Sequence, residues 1–395
     1  MIKRKKKNKE HNPFYDPALK KRHVSAKRFK KFTLTSLIFS VAFLAFFLFD
    51  MIGKGIPAFN IAYIKTDVTF NEKTLEDTRF AVSRDYRNLV SRAALRDLPK
   101  LLEENPTYMN STQNIWILAS SQVDQYIKNH NHNLKDKDIA KVDELYAQGL
   151  IDKKFNAIFF ENGDSKIPEY AGIFSAVIGS ILTLIITMAV AFPIGVMTAI
   201  YLEEFAGDNK FTRFIEININ NLAAIPSILF GLLGLAIFIN LFGMPRSSPL
   251  VGGLTLALMT LPIIIVSSRA ALRAVPDSIR QAGYGLGLNK IQVTRDHVLP
   301  LAFPGIMTGS IIGLAQAMGE TAPLIIIGMI AFIPDAPSMV TQAATVMPAQ
   351  LFTWAGMPEG MYIEKTAAGI LVLLTILISL NAIAIYLRKK LEVKW

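Results

Sequence analysis

One carboxylate of this chain stands where a carboxylate is costly. Glu320 lies within the apolar run 301–333, in the segment Gly319-Glu320-Thr321-Ala322-Pro323-Leu324, and an ionised acid at the centre of a membrane helix costs on the order of 3 kcal/mol. Such a charge either pairs with a neighbouring span or faces a water-filled path, and both readings are open. Gln316 sits one turn earlier on the same helical face and Thr321 is adjacent, so the polar groups are spaced to act together in gating or translocation. Pro323 has no amide hydrogen and leaves the Gly319 carbonyl without its helical partner, with Gly319 itself a flexible point. Residues 301–333 as one straight helix would measure about 50 Å, against a hydrocarbon core of about 30 Å. The spacing predicts a break near Gly319–Pro323, where irregular backbone is tolerated only against protein or water.

A second informative stretch is Pro276–Pro300, reading PDSIRQAGYGLGLNKIQVTRDHVLP. Its alternate glycines, Gly283, Gly285 and Gly287, suggest a phosphate cradle at first. No GxxxxGK[ST] pattern and no preceding strand accompany them, so they mark no nucleotide site. Small residues with amphipathic flanks suit a short helix docking into another protein's groove. His130-Asn131-His132 has no ligand cluster converging on it and reads as a solvated loop rather than a metal site. The absence of cysteine excludes disulfide frameworks, thiolate metal sites, iron–sulfur clusters and cysteine nucleophiles. Neither His130 nor His297 has a nucleophile or metal cluster to join, so no catalytic residue is assigned and a membrane hydrolase is disfavoured.

These groups must be positioned by spans. Of 395 residues, 51% are hydrophobic and 18% charged, well below the roughly 25% charged residues of soluble domains. Six apolar runs are near span length, at 32–52, 170–202, 222–242, 250–268, 301–333 and 366–387. The net charge of +11 resides in residues 1–31, with 13 Lys+Arg against Glu10 and Asp16. Because that basic segment abuts the first apolar run, it reads as a topology determinant rather than a nucleic-acid arm. The first run is read as an uncleaved anchor, since no small-x-small cleavage pattern follows it. With the tail cytoplasmic, six crossings place Lys210, Arg213, Arg269, Arg273, Arg280, Lys290, Arg295, Arg388, Lys389, Lys390 and Lys394 on the same side, and leave Arg246 and Lys365 in the short outer loops. The long outer segment, 53–169, holds 16 Lys+Arg and 17 Asp+Glu and is the size of a small domain. Residues 61–70 and 157–160 look strand-like, while 75–98, 115–128 and 138–150 show helical spacing.

The Pro276–Pro300 loop resembles the EAA loop of ABC-importer permeases. Gln281-Ala282-Gly283 takes the Glu-Ala-Ala place, Gly287 the glycine, and Leu299-Pro300 the closing pair; Gln281, Gly283 and His297 depart from the pattern. Ile225-Pro226-Ser227-Ile228-Leu229-Phe230-Gly231 resembles the Pro-Ser-Ile-x-x-Gly signature of phosphate permeases, and Gly319–Leu324 their Gly-Glu-Thr-Ala-Pro-Leu signature. Together these make residues 170–395 similar to the permeases of Pst-type phosphate importers, and the preceding part similar to the N-terminal extension carried by a subset of them.

The resemblance implies an all-α polytopic membrane protein with six spans and a small periplasmic α+β domain inserted after the first. The expected organisation is a basic tail (1–31), an anchor (32–52), a periplasmic domain (53–169) and a five-span permease domain (170–395) with its coupling loop at 270–300. It further implies a PstC-like second permease, a PstB-like ATPase dimer carrying ATP and Mg, a PstS-like binding protein, and no cofactor on this chain. In that setting Gln281, Ala282, Gly283, Gly287, Leu299 and Pro300 serve the ATPase contact, and Gln316, Gly319, Glu320, Thr321 and Pro323 the path. Phosphate near neutral pH still carries a proton that Glu320 can accept in a hydrogen bond, whereas sulfate offers none. The family often has arginine at the place of Gln316, so the compensating cation must come from the partner permease, or Glu320 is protonated. Pro226, Ser227 and Gly231 read more readily as kink and packing residues than as substrate contacts. A permease for molybdate or sulfate is the nearest rival. A membrane sensor is a more distant one, with only eight residues after the last run to carry a signal.

Overall fold

The computed structural model describes residues 17–330 and 332–391. Met1–Asp16, which hold part of the basic tail, and Lys394 lie outside them. The described chain forms two units divided after Gly53.

α1 spans Pro17–Gly55, and its described residues up to Gly53 make the first unit. Thr33, Thr35, Ser36 and Ser40 donate their hydroxyls to carbonyls three or four residues earlier, at 2.9–3.1 Å. The hydroxyl groups of the apolar run are thereby satisfied within the helix, as a lipid environment requires.

The second unit begins with a domain built on a three-stranded antiparallel sheet. β1 (Asn60–Phe70) is central, flanked by β2 (Ser111–Leu118) and β3 (Ile151–Phe155). The register pairs Lys65 with Trp116 and Tyr63 with Asp152. Alternation along β1 sends Ala62, Ile64, Val68 and Phe70 into a core with Leu89, Val123, Val142 and Leu145. Short helices complete the domain: α2 (Glu72–Glu76), α3 (Arg92–Arg96), α4 (Leu98–Glu104), α5 (Ser121–Ile127), α6 (Asp136–Ala147) and α7 (Ala157–Glu161).

Three expectations for this region are corrected. Residues 157–160 form a helix, because the Asn156 side chain caps it by accepting from the Phe159 N–H at 3.2 Å. Residues 75–98 are not one helix; turns interrupt them between α2 and α3. Residues 115–128 divide into the end of β2 and α5, since a continuous apolar run such as Ile115-Trp116-Ile117-Leu118 does not distinguish a buried strand from a helix.

The helical part follows: α8 (Phe174–Ile200), α9 (Lys210–Leu222), α10 (Ser227–Gly234), α11 (Pro249–Arg273), α12 (Asp277–Gly285), α13 (Lys290–Val293), α14 (Leu299–Gly319), α15 (Ala322–Ile326), α16 (Met347–Ala355) and α17 (Gly360–Leu391). π-helical turns extend α8 to Phe205 and α10 to Leu241, and join α13 to α14. Among the described residues five helices are long and apolar enough to cross a membrane, and the bent pair formed by α9 and the extended α10 makes a sixth if it counts as one span. α11 packs between α8 and α14. Small residues let the backbones approach there: a Cβ on Gly253 would lie 2.5 Å from Ile186 of α8, and one on Gly309 would lie 2.0 Å from the Ser267 hydroxyl of α11.

Two spans differ from their expected form. The run 222–242 is not a continuous helix: α9 and α10 meet at 104°, because Pro226 has no amide hydrogen and drives Ile225 out of the helical region. The run 301–333 breaks as anticipated, but helix resumes only for the five residues of α15. Gly328, at φ +97°, then turns the chain, and Ala344–Met347 are buried.

Candidate functional site

The break after α14 is made by Glu320 and Thr321. Glu320 leaves helical geometry at ψ 128°, and Pro323 opens α15 as its second residue, a place where the missing amide hydrogen is harmless. The Glu320 side chain is half-buried and has no hydrogen bond or ion pair among the described residues. Gln316 and Gly319 are exposed and Thr321 is half-buried. Pro323 is buried.

What holds the break is the other signature segment. A Cβ on Gly231 would lie 2.7 Å from Pro323 Cα, 2.8 Å from its carbonyl oxygen and 3.0 Å from Ile326 Cβ, so only glycine allows α10 to lie this close to α15. Pro226 is exposed and ends the bend before α10, and Ser227 is the first residue of α10, half-buried and making no capping bond. The two signatures, some 90 residues apart in sequence, are thus one packed structure.

The loop 276–300 is ordered by its own capping chemistry. α12 ends in a Schellman turn: the Gly287 N–H donates to the Tyr284 carbonyl at 2.9 Å and the Leu288 N–H to the Gly283 carbonyl at 3.2 Å. Gly287 has φ +82°, a conformation that costs an L-residue about 1–2 kcal/mol. Gly283 is buried, and a Cβ there would lie 2.8 Å from Val293, which sets α12 against α13. Asn289 and Gln292 form a capping box at the start of α13. Pro300 occupies the first turn of α14 and Leu299 its first residue. Gln281 and Ala282 are exposed, as are Leu286 at 79% and Ile291 at 63%.

An ion pair and two carbonyl hydrogen bonds fasten this loop to the ends of α8 and α11. Arg280 of α12 bonds Glu204 at 2.7 Å, Asp277 at 3.2 Å, and the carbonyls of Leu272 and Val275 at the end of α11 at 3.0 and 2.8 Å. The hydrogen bond that the guanidinium donates to Glu204 holds it above its usual pKa. Arg269 bridges Glu203 and Glu216, and Arg273 also reaches Glu203 at 2.8 Å. Three of the basic residues expected on this side, Arg269, Arg273 and Arg280, therefore have internal partners at the end of α8 or in α9.

A second charged cluster was not foreseen. Glu364 and Lys365, in the first turns of α17, are both buried. Glu364 accepts from Gln125 at 2.7 Å and Lys128 at 3.1 Å and contacts His130 Nδ1; Lys128 also pairs with Asp124 at 2.6 Å. Lys365 donates to the carbonyls of Pro168 at 2.6 Å and Ala171 at 2.7 Å. Glu169 accepts from the Ser121 N–H, and burial pushes its carboxyl above the usual range. His130 is thus no solvated loop residue but part of a polar joint between the sheet domain and the last helix. Its partner lies 234 positions away, beyond any local pattern. Among the described residues no three His, Asp or Glu side chains gather as a metal site.

Comparison with known proteins places residues 191–393 within the model of a family described as "Binding-protein-dependent transport system inner membrane component". Residues 16–85 and 78–136 match a domain of unknown function, DUF3333. The chain is 36% identical over 160 residues to the phosphate transport system permease protein PstA of Mycobacterium leprae (strain TN), covering 40% of this chain and 52% of the relative. It is 30% identical over 245 residues to PstA of Yersinia pestis, covering 61% of this chain and 81% of the relative. It therefore spans about half the length of some curated relatives and four-fifths of another. A solved MetNI methionine ABC transporter in an inward-facing conformation aligns over 56% of this chain and 94% of its own, at 14% identity and a TM-score of 0.43.

Proposed function

Because the chain belongs to the binding-protein-dependent transport system inner membrane components, and among them to the PstA-type permeases, we propose that it is the permease subunit of an ATP-driven importer of inorganic phosphate. In this reading it forms half of the translocation path and is completed by a PstC-like permease. A PstB-like ATPase dimer supplies the energy with its own ATP and Mg, and a PstS-like binding protein delivers the ion. Both termini are cytoplasmic, the chain crosses the inner membrane six times, and the sheet domain is periplasmic. The domain boundaries follow the composition: tail 1–31, anchor 32–52, periplasmic domain 53–169 and permease 170–395.

The observation that carries this reading is the helix break at Glu320, braced by Gly231 on Pro323. The brace leaves a carboxylate half-buried, without a partner among the described residues, on a face where Gln316 and Gly319 are also uncovered. A group so placed is poised to accept a hydrogen bond from the protonated oxygen of hydrogen phosphate, provided that a cation on the facing permease offsets its charge.

The coupling route is continuous in the chain. The exposed face of α12 and α13, with Ala282, Leu286 and Ile291, docks on the ATPase. Arg280 passes its displacement to the ends of α8 and α11, and the π-helical turn after α13 passes it into α14, whose far end is Glu320. Closure of the ATPase dimer would then rock these helices between inward and outward access. The test is ATP-dependent uptake of radiolabelled phosphate by proteoliposomes holding the copurified assembly with binding protein. Uptake that resists excess sulfate supports the proposal, and an ATP-hydrolysing assembly that takes up sulfate or molybdate but not phosphate overturns it.

A further inference from the structure

The sheet domain carries a ladder of phenylalanines at one edge. Phe160 stacks on Phe59 and on Phe155, each with centroids 5.8 Å apart and planes within 9° of parallel, and Phe159 meets Phe160 edge-on at 5.1 Å. The inner end is secured. Phe159 is fully buried and its carbonyl accepts from the Ile173 N–H at 2.9 Å, one residue before α8 begins. The outer end is open, with Phe155 64% exposed. A single exposed ring is ordinary on a protein surface; the level of this one is not.

That level follows from the ends of the spans. A Cβ on Gly55 would lie 3.0 Å from the backbone of Ala367 and Ala368 in α17. The apolar run of α17 starts at Thr366, directly after the charged pair Glu364-Lys365, so Gly55 lies at the first apolar turn. The 3-10 turn Ile56–Phe59 rises about 2.0 Å per residue, which puts Phe59 no more than about 8 Å beyond Gly55. The headgroup layer is about 5–8 Å deep on each side of the hydrocarbon core. Phe155 pairs in register with Asn60, the residue after Phe59, and so lies within about 5 Å of its height. Ile56 and Phe174, at the same span ends, are exposed as well. Lys153 is exposed on the same face of β3 as Phe155, about 7 Å along the strand.

We infer that this edge of the sheet domain is seated in the headgroup layer of the bilayer, with Phe155 at the acyl boundary and Lys153 against lipid phosphates. The occupant of the exposed face is lipid, because the ladder runs without interruption from Phe159, bonded to Ile173 just before α8, to Phe155. The inference rests on the membrane reading of α8 and α17, and it holds whichever side of the membrane the domain occupies. It gives residues 53–169 a physical restraint: the domain lies against the bilayer rather than standing clear of it.

The chain has no cysteine, so single spin labels report without background. In the full assembly in nanodiscs, Phe155→Cys, Asp152→Cys on the opposite face of β3, and Phe43→Cys within α1 are labelled and their relaxation by oxygen and by a water-soluble nickel chelate is compared. The Phe43 label should favour oxygen, the Asp152 label nickel, and the Phe155 label should shift to the oxygen side. A Phe155 label relaxed like that at Asp152 overturns the inference, as does one shielded from both agents, which would mean that protein covers it. A Phe43 label that favours nickel would instead refute the membrane reading. Phe155→Trp preserves the ladder and gives a second readout: its added emission is lost to lipids brominated near the headgroup if the inference holds, and is lost to acrylamide alone if it fails.

Discussion

At the scale of the residue, two glycines do different work. Gly231 is required for close approach: a methyl group there would have to displace the backbone of Pro323, an overpacking that costs about 1–3 kcal/mol. Gly231→Ala is expected to lower the thermal stability of the purified assembly and to reduce uptake. Gly319→Ala, whose Cβ would meet nothing within 4 Å, should affect stability far less. Gly287 is required for backbone conformation. Gly287→Ala places an L-residue at φ +82° and should cost about 1–2 kcal/mol locally, read as weaker retention of the ATPase on copurification. Gly285→Ala, in open space and at ordinary φ, should retain it fully. In sequence these glycines look alike.

At the scale of the element, legibility followed the range of the determining contacts. The break at Glu320 was readable because Pro323 and Gly319 act on their own helix. The bend before α10 had the same kind of signal in Pro226, yet its 104° angle depends on α10 turning to meet α15, which no local pattern contains. β2 was hidden because its polar half, Ser111–Asn114, gains its place only by pairing with Asp67–Phe70. The polar joint was hidden for the same reason: Glu364 and Lys365 begin an otherwise apolar helix, and their partners are in α5, the turn after it and the segment 168–171. Removing Glu364 leaves the buried Gln125 amide without its acceptor and Lys128 with Asp124 alone, at about 1–3 kcal/mol. Glu364→Ala should therefore speed hydrogen exchange across residues 121–135 and near 168–171. Glu144→Ala, which removes an exposed pair with Lys141, should leave both unchanged.

At the scale of the whole molecule, the second unit has a polar fastening at each end of its spans. On one side the arginines of α11 and α12 gather Glu203, Glu204 and Glu216; on the other, Glu364 and Lys365 fix the sheet domain to α17. Between them lies an apolar bundle with Glu320, a carboxylate without a partner among the described residues, at a broken helix. In the proposed permease, the two fastened faces would move as rigid ends about a midpoint at Glu320. The measurement that tests it most directly compares wild type with Glu320→Gln in proteoliposomes, reading ATP-dependent phosphate uptake while confirming that the ATPase subunits remain bound. The account predicts that uptake is lost in the variant although the assembly stays intact and hydrolyses ATP. Undiminished phosphate uptake by the Glu320→Gln assembly would contradict it.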